Sequence, residues 1–340
     1  MSQVQLIAEV GQAHDGSLGM AHAYIDAIAG RGVCSVKFQV HIAEAESSIQ
    51  EPFRVGFSFQ DATRSDYWRR MEFTRDQWAG LKKHCEAKEL EFLATPFSLA
   101  AVELLETLGV ERYKMGSGEV DNCLLLERVA RTGKPIILSS GLASYADLDR
   151  SVALANSFAC SLSILQCTTS YPTQAVEWGL NVVPELKARY GLPTGLSDHS
   201  GTIYPAIAAV ALGAELVEFH VVFDRLSFGP DATSSLEIRE LEGLVRGVTM
   251  VAESLASPVD KSSPAVDSEL RRIFGRSLAV NRDLDAGHVL RLGDLESKKP
   301  AGCGIGAADY RAAIGRRLTR PLRRWDFIND ADLSADSVDR

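Results

Sequence analysis

The sequence predicts an α/β chain in which a (β/α)8 TIM barrel is followed by a small C-terminal β-rich domain. Three observations predict this. Short apolar runs alternate with longer amphipathic ones, eight such runs can be counted before residue 223, and a stretch near residue 260 rich in proline and serine separates them from a tail of different pattern. Strands that alternate with helices build a parallel sheet, and eight of them close a barrel.

The eight runs are residues 4–10, 33–39, 91–95, 112–115, 135–139, 162–167, 194–197 and 216–222. Most are nearly continuous apolar stretches, as parallel strands covered on both faces require. Amphipathic segments at 18–30, 75–88, 98–108, 124–132, 145–156 and 204–212 read as crossover helices, and 236–255 reads as the last barrel helix. Gly109, Gly133 and Gly213 each follow a final apolar turn, where glycine adopts the left-handed C-cap conformation. Residues 40–73 have no clear period and are rich in charged, serine and aromatic residues. A connection that long is usually functional, and the expectation is a lid. The chain therefore divides into a catalytic barrel over 1–255, a linker over 256–271 and a compact module over 272–335 with a turn at Asp285-Ala286-Gly287.

Composition narrows the function. The 340 residues are 46% hydrophobic and 24% charged, which is globular usage and argues against disorder. A formal charge of −9 with no basic block argues against nucleic acid as a partner. No window approaches the roughly 18 apolar residues of a membrane span, and the first residues lack the pattern of a signal peptide, so no membrane partner and a cytoplasmic location are expected. The six cysteines form no Cys-x-x-Cys pair and read as reduced packing residues.

Chemistry collects at the predicted strand ends, which converge on one face of a barrel. The first run carries Glu9 and leads to His14-Asp15-Gly16, the second carries Lys37 and Gln39, the third ends at Thr95 and the fourth gives Lys114, then Gly116-Ser117-Gly118-Glu119. Ser139 ends the fifth, Thr169 and Tyr171 follow the sixth, Ser197-Asp198-His199 ends the seventh, and Glu218 and His220 lie in the eighth. Lys37 and Lys114 stand inside apolar strands, where a cation needs an anion beside it. A salt bridge to Glu9 or Glu218 serves for either lysine alone, but two such lysines together favour an anionic ligand. Thr95, Ser117, Ser139 and Ser197 add hydroxyl donors, and the glycines around Ser117 let backbone N–H groups approach phosphate oxygens. His199 and His220 end successive strands and point to one shared divalent cation with open positions, manganese or magnesium in preference to zinc. Asp231, in the loop after the eighth run, reads equally as a partner for a sugar hydroxyl and as a turn aspartate after Gly229-Pro230.

Ordered words along nearly the whole chain carry a resemblance. They are Ala8-Glu9-Val10-Gly11, Val36-Lys37-Phe38-Gln39, Ala94-Thr95-Pro96-Phe97-Ser98, Tyr113-Lys114-Met115-Gly116-Ser117-Gly118-Glu119, Gly133-Lys134-Pro135-Ile136-Ile137-Leu138-Ser139, Gly195-Leu196-Ser197-Asp198-His199 and Gly229-Pro230-Asp231. The chain resembles the sialic acid synthases and the related legionaminic and pseudaminic acid synthases. Its Arg276-Ser277-Leu278 and Lys298-Lys299-Pro300 resemble the antifreeze-like (SAF) domain of that family.

The resemblance implies a barrel synthase that condenses phosphoenolpyruvate with a sugar aldehyde of the N-acetylmannosamine type, releasing phosphate, as a domain-swapped homodimer with a divalent metal, usually manganese. It implies that Lys37, Thr95, Lys114, Ser117, Ser139 and Ser197 hold phosphoenolpyruvate, that His199 and His220 hold the metal, and that Gln39, Glu119, Tyr171 and Asp231 face the sugar, with Glu119, Lys37 and Lys114 carrying the catalysis. Three positions depart from the family pattern, all on the sugar side: Asp15, Thr169 in place of asparagine or serine, and Lys299 in place of an arginine. Lysine lacks the planar fork of arginine, so the acceptor contact must differ there. Two alternatives stand beside this expectation. One is a phosphoenolpyruvate-dependent synthase acting on a different or phosphorylated aldose, and the other is a barrel that binds sugar without catalysis.

Overall fold

The computed structural model describes residues 4–262 and 268–337; residues 263–267, within the expected linker, lie outside the described residues, as do both ends. The barrel strands are β1 (Gln5–Gly11), β2 (Ser35–Val40), β3 (Glu91–Pro96), β4 (Tyr113–Met115), β5 (Ile136–Ser139), β6 (Leu162–Cys167), β7 (Thr194–Asp198) and β8 (Leu216–Val222). Each pairs in parallel with the next, and β1 pairs with β8, so the sheet closes. The (β/α)8 expectation holds. The helices between the strands are α1 (Leu18–Ile28), α2 (Ala43–Glu46), α3 (Arg64–Met71), α4 (Arg75–Ala87), α5 (Leu99–Leu108), α6 (Cys123–Ala130), α7 (Tyr145–Ser157), α8 (Val182–Tyr190) and α9 (Tyr204–Ala211). Gly109, Gly133 and Gly213 all take positive φ, as their places after helices demanded.

Two packed layers hold the barrel. Outside it, Val36, Phe38, Phe92 and Ala94 meet helix residues such as Tyr24, Trp78 and Leu105 in one continuous core. Inside it, Ile7, Leu93, Ile137, Leu165 and Leu216 form a separate apolar plug. Side chains two apart on a strand share a face. The residues one step above the plug are therefore Glu9, Thr95, Ser139, Cys167 and Glu218, and the apolar floor fixes the height and direction of the polar layer.

Three local readings change. Residues 236–240 do not join the last helix: Leu236 pairs with Val221 and Glu237 with Val222 as a two-residue strand, β9 (Leu236–Glu237), before α10 (Leu241–Ala256) begins. Residues 40–73 are not plain loop. They fold α2 and α3, the latter opened by a Thr63–Asp66 capping box, around a small cluster of Ala43, Tyr67, Trp68 and Met71 with Phe53 and Phe57 against it. The helix Val182–Tyr190, with Val183 and Leu186 inward and Gly191 as a left-handed cap, fills a crossover that the sequence pattern left unassigned.

The chain falls into two compact units, 1–258 and 259–340. The second is small and β-rich. A helix, α11 (Ser268–Phe274), crosses the expected boundary at 271–272. Two antiparallel ladders, β10 (Ser277–Val280) with β11 (Leu295–Lys298) and β12 (Arg316–Leu318) with β13 (Leu333–Ser337), enclose Leu278, Val280, Leu290, Leu318 and Ile328. No helix among the described residues is long and apolar enough to cross a membrane.

Candidate active site

A cavity of about 370 Å³ opens at the C-terminal ends of the barrel strands. Of the fifteen residues that the resemblance assigns to phosphoenolpyruvate, the metal or the sugar side, thirteen line it: Lys37, Gln39, Thr95, Lys114, Ser117, Glu119, Ser139, Thr169, Tyr171, Ser197, His199, His220 and Asp231. Strand register brings them together. Glu9 sits level with Lys37 on one side and His220 on the other, Gln39 beside Thr95, and Ser197 beside Glu218 and Cys167.

The floor is a closed charge network. Lys37 Nζ is 2.8 Å from Glu9 Oε2, 3.6 Å from Glu218 Oε1 and 3.2 Å from Thr95 Oγ1, which accepts from it. Lys114 Nζ donates to Ser139 Oγ at 2.6 Å and to the Met115 carbonyl at 3.1 Å, with Glu218 Oε2 at 3.7 Å. Ser197 donates to Glu218 at 3.1 Å and Gln39 to Glu9 at 2.8 Å. Burial works against the charge on Lys37, but Glu218 and Glu9 hold its ammonium above the ordinary range. Burial pushes Lys114 down, with Glu218 opposing and Lys37 adding to the fall. Burial also opposes the charge on Glu218, and Lys114 and Lys37 more than offset it, so its carboxylate lies low. The salt-bridge reading and the ligand reading are thus compatible: the same carboxylates that oppose the effect of burial on the lysines also hold them in place.

Beside this network stand the two imidazoles, with ring centroids 5.1 Å apart and Tyr171 packed on His199 at 4.2 Å. His199 Nδ1 lies 3.1 Å from the Thr168 carbonyl, which can only accept, so this nitrogen carries the proton and a neutral ring leaves Nε2 with its lone pair. Burial disfavours the charged form of His199, yet Cys167 beside it and the Thr168 carbonyl push it up to about 9, so a cation must displace the Nε2 proton to bind there. His220 is buried and sits well below the usual range, with His199 adding to the depression, so it is a neutral donor. Among the described residues no group of three or more His, Cys, Asp or Glu side chains is arranged to hold a metal. The donor set present fits a cation held by two protein nitrogens, its remaining positions left to substrate and water, and does not make a closed structural site.

The acceptor side is built differently. Glu119 receives Asn122 Nδ2 at 2.7 Å, and burial pushes its carboxyl up. Burial also raises Asp231, although Arg54 Nη2 donates to its Oδ1 at 2.6 Å. Ser117 Oγ accepts from the Gly141 backbone at 3.2 Å, and a Cβ on Gly141 would come within 2.4 Å of Thr169 Oγ1 and 2.6 Å of Ser117 Oγ, so only glycine allows this wall to close. Cys167 lines the cavity and Cys123 and Cys303 are exposed, so the expectation that every cysteine is packing material does not hold.

Of the other two expected acceptor residues, one belongs to the barrel unit and does not line this cavity. Asp15, at φ 48°, turns away and accepts from Arg70 Nη1 at 2.5 Å; Arg70 also joins Asp61 at 2.8 Å. Its place in a left-handed turn aims it at the segment 40–73 and away from the strand ends. Lys299 belongs to the second unit, where its Nζ lies 5.1 Å from the centre of the Phe274 ring. The sequence reading missed His41, Glu46, Glu51, Arg54, Arg64 and Trp68, all cavity-lining and all from residues 40–73. His41 is stacked between Trp68 and Phe97, at 3.9 and 4.6 Å, with Nδ1 2.7 Å from Glu46. The signal available was the charged and aromatic content of that segment.

A model described as the NeuB family matches residues 24–260. The N,N'-diacetyllegionaminic acid synthase of Campylobacter jejuni is 31% identical over 336 residues, spanning 97% of this chain and 100% of that protein. The N-acetylneuraminate-9-phosphate synthase of Homo sapiens is 31% identical over 327 residues, spanning 95% of this chain and 90% of that one. The crystal structure of the N-acetylneuraminic acid synthetase of Leptospira borgpetersenii in complex with citrate is similar with a TM-score of 0.70 at 30% identity, over 79% of this chain and 90% of that one.

Proposed function

The chain belongs to the NeuB family, and on that premise we propose that it condenses phosphoenolpyruvate with the open-chain aldehyde of a sugar to give a nonulosonic acid and inorganic phosphate. The observation that carries the reading is the pair of buried lysines, Lys37 and Lys114, held by Glu9 and Glu218 and by the Thr95 and Ser139 hydroxyls beside two imidazoles in one cavity. Lys37 and Lys114, with Thr95, Ser117, Ser139 and Ser197, hold the phosphate and carboxylate of phosphoenolpyruvate. Gln39, Glu119, Thr169, Tyr171 and Asp231 face the sugar.

C3 of phosphoenolpyruvate bonds to the aldehyde carbon, the oxygen of a water bonds to C2, and the bond from C2 to the phosphate oxygen then breaks as phosphate leaves. The aldehyde oxygen takes up a proton and becomes a hydroxyl. Glu119, whose carboxyl burial keeps inclined to its proton, gives it, and of the two protons of the attacking water one returns to Glu119 while the other leaves with the phosphate. A divalent cation held by His199 and His220, manganese or else magnesium, would supply Lewis-acid polarisation of the carbonyl oxygen. Holding both reactants in register over a rigid floor supplies much of the remaining acceleration. Asp15 acts at one remove, through Arg70. Lys299 as an acceptor contact, and the homodimer that would deliver it, rest on the sequence resemblance alone.

The test is phosphate release from phosphoenolpyruvate with N-acetylmannosamine-type sugars and manganese. Release that depends on both sugar and metal is expected. No release with any sugar from a folded, metal-loaded protein sinks the reading.

A further inference from the structure

His41 follows the last residue of β2 and borders the cavity, yet it is only 3% exposed and no step of the proposed condensation uses it. Its ring is clamped between Trp68 and Phe97, with centroids at 3.9 and 4.6 Å and planes only 15° and 13° from parallel. A clamped ring cannot swing, so its two nitrogens keep fixed directions. Nδ1 lies 2.7 Å from Glu46 Oε1, and Glu46 Oε2 accepts from the Ile42 backbone at 3.2 Å. A carboxylate only accepts, so Nδ1 carries the proton, and in the neutral ring Nε2 keeps its lone pair.

That lone pair faces a carboxamide. Gln12 Nε2 lies 3.4 Å from His41 Nε2 and 2.5 Å from Gln39 Oε1, so its two N–H groups serve both acceptors. Gln39 in turn donates from Nε2 to Glu9 Oε1 at 2.8 Å, while Glu9 Oε2 faces Lys37 at 2.8 Å. The donors run in one sense, from His41 to Glu46, from Gln12 to His41 and Gln39, and from Gln39 to Glu9. Turning the Gln39 amide over would set its oxygen against the buried Glu9 carboxylate and its NH2 against that of Gln12. Both contacts would then be unmet in a place where unmet polar groups are costly.

We infer that His41 is a positioning residue: held by Glu46, it fixes Gln12, and through Gln12 it fixes the Gln39 amide that orients Glu9 on Lys37. It reaches the reactants only through Gln39. The inference rests on the condensation reading of the same cavity.

The experiment is a double-mutant cycle in the full chain with manganese, phosphoenolpyruvate and N-acetylmannosamine-type sugars, read by phosphate release. His41→Asn keeps a donor for Glu46 and loses the Nε2 acceptor, and kcat should fall about tenfold. His41→Gln carries its amide oxygen toward the Nε2 position and should recover most of that loss. Gln39→Met lowers kcat by itself, and adding His41→Asn to it should cost less than about twofold more, because the group that His41 positions is already gone. A merely structural His41 gives the opposite pattern: the two losses multiply, and His41→Gln, which abandons Glu46, does no better than His41→Asn. Either result overturns the inference, and so does a His41→Asn enzyme with wild-type kcat. If His41→Asn does not fold, Gln12→Met takes its place in the cycle, where losses that fail to multiply support the inference and losses that multiply overturn it. If no sugar is turned over, the condensation reading fails, and the same cycle read as phosphoenolpyruvate affinity by calorimetric titration still decides this one: non-additive losses support it, while additive losses, or no binding of phosphoenolpyruvate, overturn it.

Discussion

On the cavity floor Lys37 and Lys114 are at most 4% exposed at the side chain and face carboxylates set by strand register, whereas on the lid Arg54 is 36% exposed and reaches Asp231 from a long connection between strands. Both regions pair cations with carboxylates in the same cavity, yet the pairing serves different ends. On the floor, positions two apart on paired strands leave no freedom, and removing one charge strands another in low dielectric. On the lid, solvent screens the pairs and the backbone can rearrange, so the same contacts are cheap to change. The proposed condensation assigns phosphoenolpyruvate to the rigid half and the sugar to the adaptable half.

The sharpest way to break this contrast is Lys37→Met. Glu9 and Glu218 lose the cation they share, and the native state should fall by about 3–5 kcal/mol in denaturant titration, with turnover reduced to background. A loss of less than about 1 kcal/mol, the range of exposed pairs, would show that the floor is no more rigid than the lid.

Glu119→Gln probes the seam between the halves. Burial lifts the Glu119 carboxyl above its ordinary range. Below that range the folded and unfolded chains are both protonated at this side chain and it contributes nothing to pH dependence. As pH rises through the raised value, the unfolded chain has already ionised freely while the folded one ionises against burial, so stability declines. Glutamine removes that decline. The variant should match the parent in acid, exceed it slightly in melting temperature at neutral pH, and lose about 10²–10⁴-fold in turnover. Equal melting curves at neutral pH would mean that the carboxyl is hydrated and not held for proton transfer.

These differences also explain what could be read in advance. The eight strands were legible because burial on both faces writes a plain apolar signal, and Lys37 and Lys114 were legible because a cation inside such a run breaks it. His199 and His220 follow from the same logic, being polar residues at the ends of counted strands. The lid residues carry no period: Arg54 lies in irregular chain, and Arg64 opens a helix whose inward face is only Tyr67, Trp68 and Met71. Nothing in that spacing tells which side chains turn toward the strand ends. Asp15 shows the converse error. It follows the first strand at a position where the chain departs from the family pattern and was expected on the sugar side, but a left-handed backbone at φ 48° directs it to Arg70, and direction at a loop residue is set by tertiary contact.

The smallest expected effect sharpens the comparison from the lid side. Arg70 is 23% exposed at its side chain and ties Asp15, after β1, to Asp61 in the irregular segment before α3, with Nη1 2.5 Å and Nη2 2.8 Å from the two carboxylates. The hydrogen bond to Asp61 holds its guanidinium above the ordinary range, burial opposes this, and the hydrogen bond to Asp15 adds to the rise. Arg70→Ala cuts the staple without touching the floor. Global stability should fall by about 1 kcal/mol or less, as for a partly screened pair, but the loss should be local: faster proteolysis within residues 48–62, with protection of the barrel strands from hydrogen exchange unchanged. In steady-state kinetics KM for the sugar should rise a few fold, while KM for phosphoenolpyruvate stays where it was. An equal rise in both would mean that the lid and the floor respond as one body, and that the division of labour inferred from their charges does not extend to their motions.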